Sequence, residues 1–347
     1  MRALALLGHG GIGSIAEVEL PSPRVSAPGE VLIRVRTAAI NHLDLFLTEG
    51  IKGISVAFPH IVGTDGAGVV EQVGAQVSSV RPGDRVTLNP GISCGQCAAC
   101  LRGDEPLCRE YAILGEHRPG TAAEFVVVPE RNVAKIPDDM PWDIAAALPL
   151  STLTAWRMLT TRARLEPGET VLIWGVGGGV ALAALAIAKH RGARVIATSS
   201  SNAKLERAQA RGADVIFNHA ELPPDDIARE IRKLTGTGVD IVVETVGQKT
   251  WSASLKALRP GGRLVTCGAT SGPEVGIDVR RLFWFQWSIL GSTMGSQAEF
   301  AEVMALARVG KLWPVVDSVV PLSLGATAYE RMRRGEQQGK LVIEVSR

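Results

Sequence analysis

The cysteines between residues 94 and 108 carry the clearest chemistry of the sequence. They follow the pattern C-x2-C-x2-C-x7-C and are Cys94, Cys97, Cys100 and Cys108. Closely spaced thiolates can surround one tetrahedral cation, and four of them leave no open position for water or substrate. The spacing therefore predicts one structural Zn²⁺, with an iron–sulfur cluster as the alternative that four cysteines allow. The fifth cysteine, Cys267, lies in an apolar run and is predicted to be a buried core residue.

A glycine-rich turn at residues 175–180 is the second pattern with a chemical meaning. It comes directly after the apolar run Val171–Trp174 and opens an Ala- and Leu-rich helical run. In that position backbone N–H groups can approach a pyrophosphate at the helix N-terminus, whereas a plain tight turn needs no such context. We therefore predict a dinucleotide site that includes Gly175, Gly177, Gly178, Gly179 and Val180.

The residues after the next strand indicate which dinucleotide is preferred. The run Arg194–Thr198 is followed by Ser199 and Ser200, with Lys204 close behind. A site for NAD usually places Asp or Glu here to hold the ribose 2′-hydroxyl, whereas hydroxyls and Lys accept a 2′-phosphate. We therefore predict that NADPH is preferred over NADH. An interpretation compatible with that role is that the serines cap the following helix.

Two different patterns of secondary structure are predicted in the chain, and the elements of each position these residues. Up to about residue 136, short alternating runs separated by Gly and Pro indicate an antiparallel, barrel-like β domain; examples are Val31–Arg36, Gly68–Val73, Asp84–Leu88 and Glu124–Val128. From about residue 170, apolar strands alternate with helical runs, which indicates a parallel sheet covered on both faces. The further elements predicted are helices Gly179–Arg191, Asn202–Arg211 and Ala298–Ala307, and strands Val215–Phe217, Val239–Glu244, Arg263–Cys267 and Lys340–Val345.

Composition limits the kind of protein. The 347 residues suggest about two domains, and 46% hydrophobic with 21% charged residues is ordinary for a globular chain. A net charge of +2 gives no reason to expect nucleic acid or an anionic membrane as a partner. The apolar stretch Ala3–Leu7 is too short for a signal-peptide core, and no run approaches the roughly 20 apolar residues of a membrane span. The expected location is the cytoplasm, and the expected partner is a small-molecule substrate.

From end to end, the chain resembles the medium-chain dehydrogenase/reductase superfamily. The resemblance rests on the order of the parts and on motifs at residues 39–44 (AINHLD), 63–70 (GTDGAGVV), 148–150 (LPL) and 290–295 (LGSTMG). It implies an α/β fold with a GroES-like β-barrel catalytic domain and a doubly wound Rossmann nucleotide-binding domain. The implied limits are 1–150 for the catalytic domain, with its zinc lobe at 94–108, 151–293 for the cofactor domain and 294–347 for the return to the catalytic domain. Relatives pair through edge strands, which implies a homodimer or homotetramer.

The departures from the superfamily pattern decide the predicted chemistry. Its zinc alcohol dehydrogenases hold a second, catalytic zinc with a Cys before a short loop helix, the His–Glu pair of a G-H-E motif, and a Cys near the start of the cofactor domain. The matching positions here look like Asn41, Thr64 with Asp65, and Ser151 or Thr152. Without a thiol or an imidazole these residues are poor zinc ligands, so no catalytic metal is expected.

The N-x-x-D and G-T-D forms of these motifs are similar to those of quinone oxidoreductases and enoyl reductases in the same superfamily. The resemblance implies NADPH-dependent hydride transfer to an activated C=C bond, in an enone or enoyl thioester, or to a quinone. The zinc lobe is commonly absent from that branch, so the chain combines two patterns. Two alternatives stay open: a zinc-type alcohol dehydrogenase with unusual catalytic-site ligands, and a non-enzymatic NADPH-binding structural protein.

The resemblance also implies roles for the residues around the former metal position. Asn41, Thr64 and Ser151 or Thr152 are expected to donate hydrogen bonds to a developing enolate oxygen, with Asp65 in the same group. Asp44 is expected to orient the loop or the substrate, or else to cap a helix that begins after Asn41.

The protonating group stays open. Neither Tyr111 nor Tyr329 matches the loop that carries a tyrosine in many enoyl reductases, where Phe46 stands instead. Beyond the glycine turn and the serines, the cofactor residues implied are His42, Thr154, Thr245, Val246, Gly268, Ala269 and Lys340.

Overall fold

The structure is a computed structural model that describes residues 1–346. The chain forms two compact units. Unit 1 contains Met1–Leu153 and Met294–Arg347, so it is built from both ends of the chain, and unit 2 contains Thr154–Thr293. Within the described residues, no helix is both long and apolar enough to span a bilayer.

Unit 1 consists mainly of antiparallel strands, as the short alternating runs predict. Its strands are β1 (Arg2–Leu6), β2 (Ile15–Glu19), β3 (Glu30–Ala39), β4 (His60–Ile61), β5 (Asp65–Val73), β6 (Arg85–Leu88), β7 (Gly91–Ile92), β8 (Ala112–Ile113), β9 (Phe125–Pro129), β10 (Val133–Lys135), β17 (Val316–Pro321) and β18 (Lys340–Glu344). Its helices are α1 (His42–Glu49), α2 (Ala98–Leu101), α3 (Trp142–Ala147), α4 (Pro149–Trp156), whose last residues belong to unit 2, α10 (Gln297–Arg308) and α11 (Gly325–Arg333).

The largest sheet of unit 1 has seven strands in the order β10-β6-β5-β3-β18-β17, and β9 also pairs with β3. Strand β3 is therefore central. Its alternating side chains Val31, Ile33 and Val35 are fully buried in the main core of the unit. Because β3 is antiparallel to both β5 and β18, the carboxyl end of β3 lies beside the first residues of those two strands.

Unit 2 alternates strand and helix. Its elements are β11 (Thr170–Ile173), α5 (Gly179–His190), β12 (Arg194–Ser199), α6 (Asn202–Ala210), β13 (Val215–Asn218), α7 (Pro224–Thr235), β14 (Val239–Glu244), α8 (Trp251–Ala257), β15 (Leu258–Thr266), α9 (Val279–Trp284) and β16 (Ser288–Gly291). They form one parallel six-stranded sheet in the order β13-β12-β11-β14-β15-β16. Most residues of the inner strands β11, β12 and β14 are buried, as is typical where helices cover both faces of a sheet.

The strand order of unit 2 reverses direction at β11. The chain moves outward from β11 to β12 and β13, and then returns to the other side of β11 through β14. In open α/β sheets, ligands bind at the carboxyl ends of the strands where this reversal occurs. The glycine-rich turn after β11 lies at that point.

Candidate functional site

The four predicted cysteine ligands converge in unit 1. The Sγ atoms of Cys94, Cys97, Cys100 and Cys108 all lie within 4.8 Å of one another. Neighbouring Sγ atoms are 3.5 Å (Cys94–Cys108), 3.6 Å (Cys97–Cys100) and 3.8 Å (Cys94–Cys100) apart. Four sulfurs at about 2.3 Å from a tetrahedral Zn²⁺ lie roughly 3.8 Å from each other, so the lobe fits a closed zinc site.

Two of the four thiols are shifted toward the thiolate form that metal binding needs: the pKa values of Cys94 and Cys100 are lowered, whereas that of Cys108 is raised. Backbone N–H groups of Gln96 and Cys97 lower the pKa of the Cys94 thiol, and the Cys97 N–H lies 3.3 Å from Cys94 Sγ. Among residues 1–346, these four cysteines are the only group of three or more His, Cys, Asp or Glu side chains arranged to hold a metal ion. Cys267 lies apart from them, directly after β15, and is half-buried.

A buried polar cluster forms where the ends of three strands of unit 1 meet. The register pairs Ala39 of β3 with Asp65 of β5 and with Val342 of β18. Two residues beyond Ala39 comes Asn41, and two residues before Val342 comes Lys340. The sheet thus brings together side chains that are far apart in the sequence.

Lys340 makes the central contacts of this cluster. Its Nζ donates to Asn41 Oδ1 and, at 2.8 Å, to Asp65 Oδ2, and the Lys340 side chain is only 3% exposed. Asn41 Nδ2 donates to the same Asp65 oxygen at 3.0 Å, and the backbone N–H of Leu150 donates to Asp65 Oδ1 at 2.8 Å. Lys340 was predicted as a cofactor residue; the structure brings it to the predicted catalytic residues Asn41 and Asp65.

Asp44 forms the second part of the cluster. Its Oδ2 accepts from the Asn41 backbone N–H at 2.9 Å and its Oδ1 accepts from Thr64 Oγ1 at 3.2 Å, which supports the interpretation as a helix cap. Tyr329 OH donates to Asp44 Oδ2 at 3.5 Å. Burial raises the pKa of Asp44 to about 6, although the bond from Asn41 and the charge of Lys340 act in the opposite direction. Burial and the Asp44 charge raise the pKa of Tyr329.

The donor set of this cluster does not fit a second zinc. It offers the amide of Asn41, the hydroxyl of Thr64 and the carboxylates of Asp44 and Asp65, without a thiolate or imidazole ligand. Both Asp65 oxygens already accept hydrogen bonds, and the ammonium of Lys340 would repel a dication. The polar cluster of Asn41, Asp44, Thr64, Asp65 and Lys340 is called the lysine cluster below.

The two predicted hydroxyls on α4 differ in their contacts. Ser151 Oγ donates to the Ala147 carbonyl at 3.4 Å, as a helical serine commonly does. Thr152 Oγ1 is buried and has no hydrogen-bond partner. Helix α4 also places the Leu150 N–H on Asp65, so the free hydroxyl of Thr152 lies two residues after a contact to the lysine cluster.

Sequence reasoning missed one acidic residue that the fold brings to this region. Glu116 is 6% exposed, and its Oε2 atom has no hydrogen-bond partner. Burial, followed by the negative charge of Asp44, raises the pKa of Glu116 to about 7. No motif singles out this residue, and the tyrosine that contacts Asp44 was also set aside because it matched no family loop.

In unit 2, the glycine-rich turn has the conformation that close approach to a ligand requires. Gly175 has φ +66°, which favours glycine, and its N–H lies 3.2 Å from Thr198 Oγ1. A Cβ at Gly177 would lie 2.9 Å from Lys204 Cδ, so the lysine side chain passes over the turn. Helix α5 then begins at Gly179, with Gly178 as its N-cap. The turn therefore presents backbone N–H groups and a cation at a helix N-terminus.

The other predicted cofactor residues of unit 2 follow its neighbouring strands. Ser199 ends β12 and is buried, with its Oγ accepting from the Ser201 N–H at 3.3 Å, whereas Ser200 is exposed. Thr245 and Val246 follow β14, and their carbonyls accept from the loop after β15, Ser271 N–H bonding Val246 at 2.7 Å. Gly268 and Ala269 lie in that second loop, and Thr154 Oγ1 is buried without a partner.

His42 begins α1 in unit 1 and is partly buried. Burial and the nearby Lys340 charge lower the pKa of His42, which keeps the imidazole neutral at neutral pH. A direct charge interaction with cofactor phosphates is therefore weak at that pH, although a neutral imidazole still offers a hydrogen bond.

The chain matches two family models, the alcohol dehydrogenase GroES-like domain over residues 27–138 and the zinc-binding dehydrogenase over residues 179–308. It is 32% identical to an alcohol dehydrogenase of Geobacillus stearothermophilus, over 94% of this chain and 95% of that protein. The chain belongs to the medium-chain dehydrogenase/reductase superfamily, and it is a nicotinamide-dependent oxidoreductase. The predicted combination of a GroES-like domain with a Rossmann-type sheet is confirmed.

Two further relatives bear on the substrate class. A crystal structure of an NAD-dependent alcohol dehydrogenase superposes with a TM-score of 0.95 and 43% identity, covering 100% of both chains. An acryloyl-coenzyme A reductase of Metallosphaera sedula is 30% identical over 99% of both chains. These names support the alcohol dehydrogenase alternative better than the prediction of a metal-free enone or quinone reductase, and they do not support a preference for NADPH.

Proposed function

We propose that the chain is a nicotinamide-dependent dehydrogenase that interconverts a small-molecule alcohol and its carbonyl compound. The observation that carries the proposal is the buried ammonium of Lys340, held by Asn41 and Asp65 in a chain that matches alcohol dehydrogenases over nearly its whole length. When bound, the nicotinamide supplies or accepts the hydride. We assign its binding to unit 2 and the substrate oxygen to unit 1.

Lys340 is the group proposed to stabilise charge on the substrate oxygen. An ammonium has three N–H donors, and two of them go to Asn41 and Asp65. The third is left for an oxygen that becomes negative as hydride is transferred. In a buried site such a donor acts more strongly than in water, so it takes the part that a Lewis acid would otherwise have. Asn41 and Asp65 position Lys340, and Thr64 holds Asp44.

A second candidate, conjugate reduction of an activated C=C bond, has its own support. An acryloyl-coenzyme A reductase is among the relatives, and the lysine cluster lacks the zinc ligands of alcohol dehydrogenases. The same Lys340 donor would stabilise an enolate oxygen. Quinones belong to this candidate as alternative hydride acceptors.

The proposed cofactor preference is NADPH, supported by Ser199 in place of an acidic residue and by Lys204 over the glycine turn. Relatives named NAD-dependent argue for NADH, so both nucleotides belong in every assay. One structural zinc in the cysteine lobe, a homodimer or homotetramer, and a small-molecule substrate complete the proposal.

The test is a comparison of initial rates for the zinc-loaded chain with NAD(H) and NADP(H). Primary and secondary alcohols, aldehydes, ketones, enones, enoyl thioesters and quinones should be assayed in parallel. We expect turnover of alcohol and carbonyl pairs, reduced in Asn41→Ala without loss of nucleotide binding. Turnover of enones, enoyl thioesters or quinones alone would favour the second candidate. Tight nucleotide binding with no turnover of any compound would favour a non-enzymatic protein.

A further inference from the structure

The fold holds a buried carboxyl group beside the lysine cluster that none of the predicted roles uses. We propose that Glu116 is the acid–base residue of this active site, which gives a proton to the substrate oxygen in reduction and takes it back in oxidation. The inference deepens the proposed function and rests on it, because it assigns the proton transfer of the same reaction.

The first support is the way in which the Glu116 loop is fixed. The Gly115 carbonyl, next to Glu116, lies 3.2 Å from His60 Nε2, and the Thr121 N–H donates to the Gly63 carbonyl at 2.9 Å. A Cβ at Gly115 would lie only 2.5 Å from the Gly63 carbonyl oxygen. The loop therefore packs directly on the segment that leads into Thr64 of the lysine cluster.

The second support is a comparison of the three buried acids. Asp65 accepts from Lys340, Asn41 and Leu150. Asp44 accepts from Asn41, Thr64 and Tyr329. Glu116 Oε2, by contrast, has no donor, although the residue is 6% exposed. Buried polar atoms are normally hydrogen-bonded, so an exception calls for an explanation, and a catalytic role is one such explanation.

The third support is the charge around Glu116. Asp44 is negative and favours the neutral form of the Glu116 carboxyl group. His117 Nδ1 is 3.7 Å from Glu116 Oε2, but it already accepts the Ile113 N–H at 3.3 Å and therefore has no proton to give there. Burial lowers the pKa of His117 and of His60, so both rings are neutral at neutral pH.

The remaining charges of the region compensate each other. Lys340 is paired with Asp65, so this ion pair adds no net positive charge near Glu116. Burial and the Asp44 charge accordingly raise the pKa of Glu116 to about 7, where a group can act as both acid and base at neutral pH. No other buried carboxyl group of the region combines this pKa with a free oxygen atom.

In both directions of the reaction, the proton moves between Glu116 and the substrate oxygen. In reduction the carbonyl carbon gains the hydride, the C=O π electrons move to oxygen, and the oxygen takes the proton of Glu116 to become a hydroxyl. The Glu116 carboxylate then takes a proton from water, to which the partly exposed His117 beside it gives access. In oxidation the carboxylate accepts the hydroxyl proton as the hydride leaves carbon for the oxidised nicotinamide.

The test compares the zinc-loaded wild-type chain with Glu116→Gln and Glu116→Asp. General acid–base catalysis contributes at least about 100-fold, so Glu116→Gln should lower kcat/KM by about that factor and remove the ionisation near pH 7 from the pH profile. Glu116→Asp should keep the ionisation at an intermediate rate. NAD(P)H binding should be unchanged in both. Glu19→Gln, which removes an exposed acid from unit 1, should match the wild type.

A spectroscopic measurement keeps the test independent of the variants' rates. Infrared difference spectra of the wild-type chain, recorded below and above pH 7, should show the band of a protonated carboxyl group disappear as pH rises. Glu116→Gln should lack this band. An active wild type with unchanged rate and pH profile in Glu116→Gln would overturn the role of Glu116 and leave the proposed function standing. A wild type that binds nucleotide but turns over no compound would overturn both.

Discussion

Lys340 and Asp65 form an ion pair of 2.8 Å between two side chains that are 3% and 0% exposed. Removing one partner of a buried pair leaves the other charge without compensation, which costs about 3 kcal/mol or more. Lys340→Met should therefore lower the free energy of unfolding by about 3 kcal/mol, measured by urea denaturation of the zinc-loaded chain.

A control variant and a double variant test whether the loss comes from the ion pair. The exposed Lys52→Met should leave the unfolding curve nearly unchanged. The double variant Lys340→Met/Asp65→Asn should recover part of the loss, since it removes the uncompensated charge. Equal losses in the single and double variants would mean that the ion pair is not what stabilises this region.

Zinc content should be one ion per chain. Cys100→Ser removes one of four converging thiols, so it should lower the zinc content well below one and lower the melting temperature. Cys267→Ser is the matched control, because Cys267 lies apart from the lobe. Elemental analysis of chelator-washed protein gives the count, and two zinc ions per wild-type chain would contradict the conclusion that the lysine cluster does not fit a metal.

The raised pKa of Glu116 predicts how stability depends on pH. Its pKa rises from 4.5 in the unfolded chain to about 7 in the folded one. Between these values unfolding releases a proton, so the free energy of unfolding falls as pH rises through the window and stays lower above it. The pKa of Asp44 is raised from 3.8 to about 6, so its ionisation also lowers the free energy of unfolding as pH rises.

Glu116→Gln isolates the contribution of one group, because Asp44 is present in both proteins. Relative to the wild type, the variant should gain about 3 kcal/mol in unfolding free energy on going from below pH 4.5 to above pH 7. Urea denaturation over this pH range provides the measurement. A difference that does not depend on pH would show that Glu116 ionises normally in the folded chain.

Nucleotide preference should depend on Ser199. Ser199→Asp places a carboxylate where a 2′-phosphate is expected, so NADPH should bind at least about tenfold more weakly while NADH binding is retained or improved. Nicotinamide fluorescence titration measures both affinities. Gln209→Asp on the exposed face of α6 is the control for added charge. A wild type that binds NADH far more tightly than NADPH would contradict the predicted preference.

Much of the fold followed from local patterns. The alternating run Val31–Arg36 lies within β3, and the predicted segments Val171–Trp174 and Asn202–Arg211 match β11 and α6 to within one residue at each end. These predictions succeed because periodicity reports which face of an element is buried. The cysteine spacing predicted the convergence of the four thiols for a related reason: the ligands are close in the chain, so little of the remaining fold has to be known.

Less of the candidate site could be predicted from local sequence patterns. Lys340 and Asn41 are separated by 299 residues, and Tyr329 and Asp44 by 285, so only the finished fold of unit 1 brings them together. Glu116 carries no sequence signal because its character comes from burial and from Asp44, which are properties of the folded chain. The motifs thus located Asn41, Thr64 and Asp65, and the resemblance named Lys340 as a cofactor residue, but neither revealed that Lys340 pairs with Asn41 and Asp65 or that Glu116 lies beside them.

The division of unit 1 between the two ends of the chain has a consequence for biosynthesis. On the ribosome, β3 and β5 are made before unit 2, whereas β18, which lies against β3, is made after it. Until then residues Thr37–Ala39 of β3 lack their partner in β18, and Asp65 lacks the cation that neutralises it. Unit 2, which is continuous in sequence, can finish folding first. The nascent chain therefore contains all of unit 2 before Lys340 can pair with Asp65, so the lysine cluster is the later of the two to be assembled during synthesis.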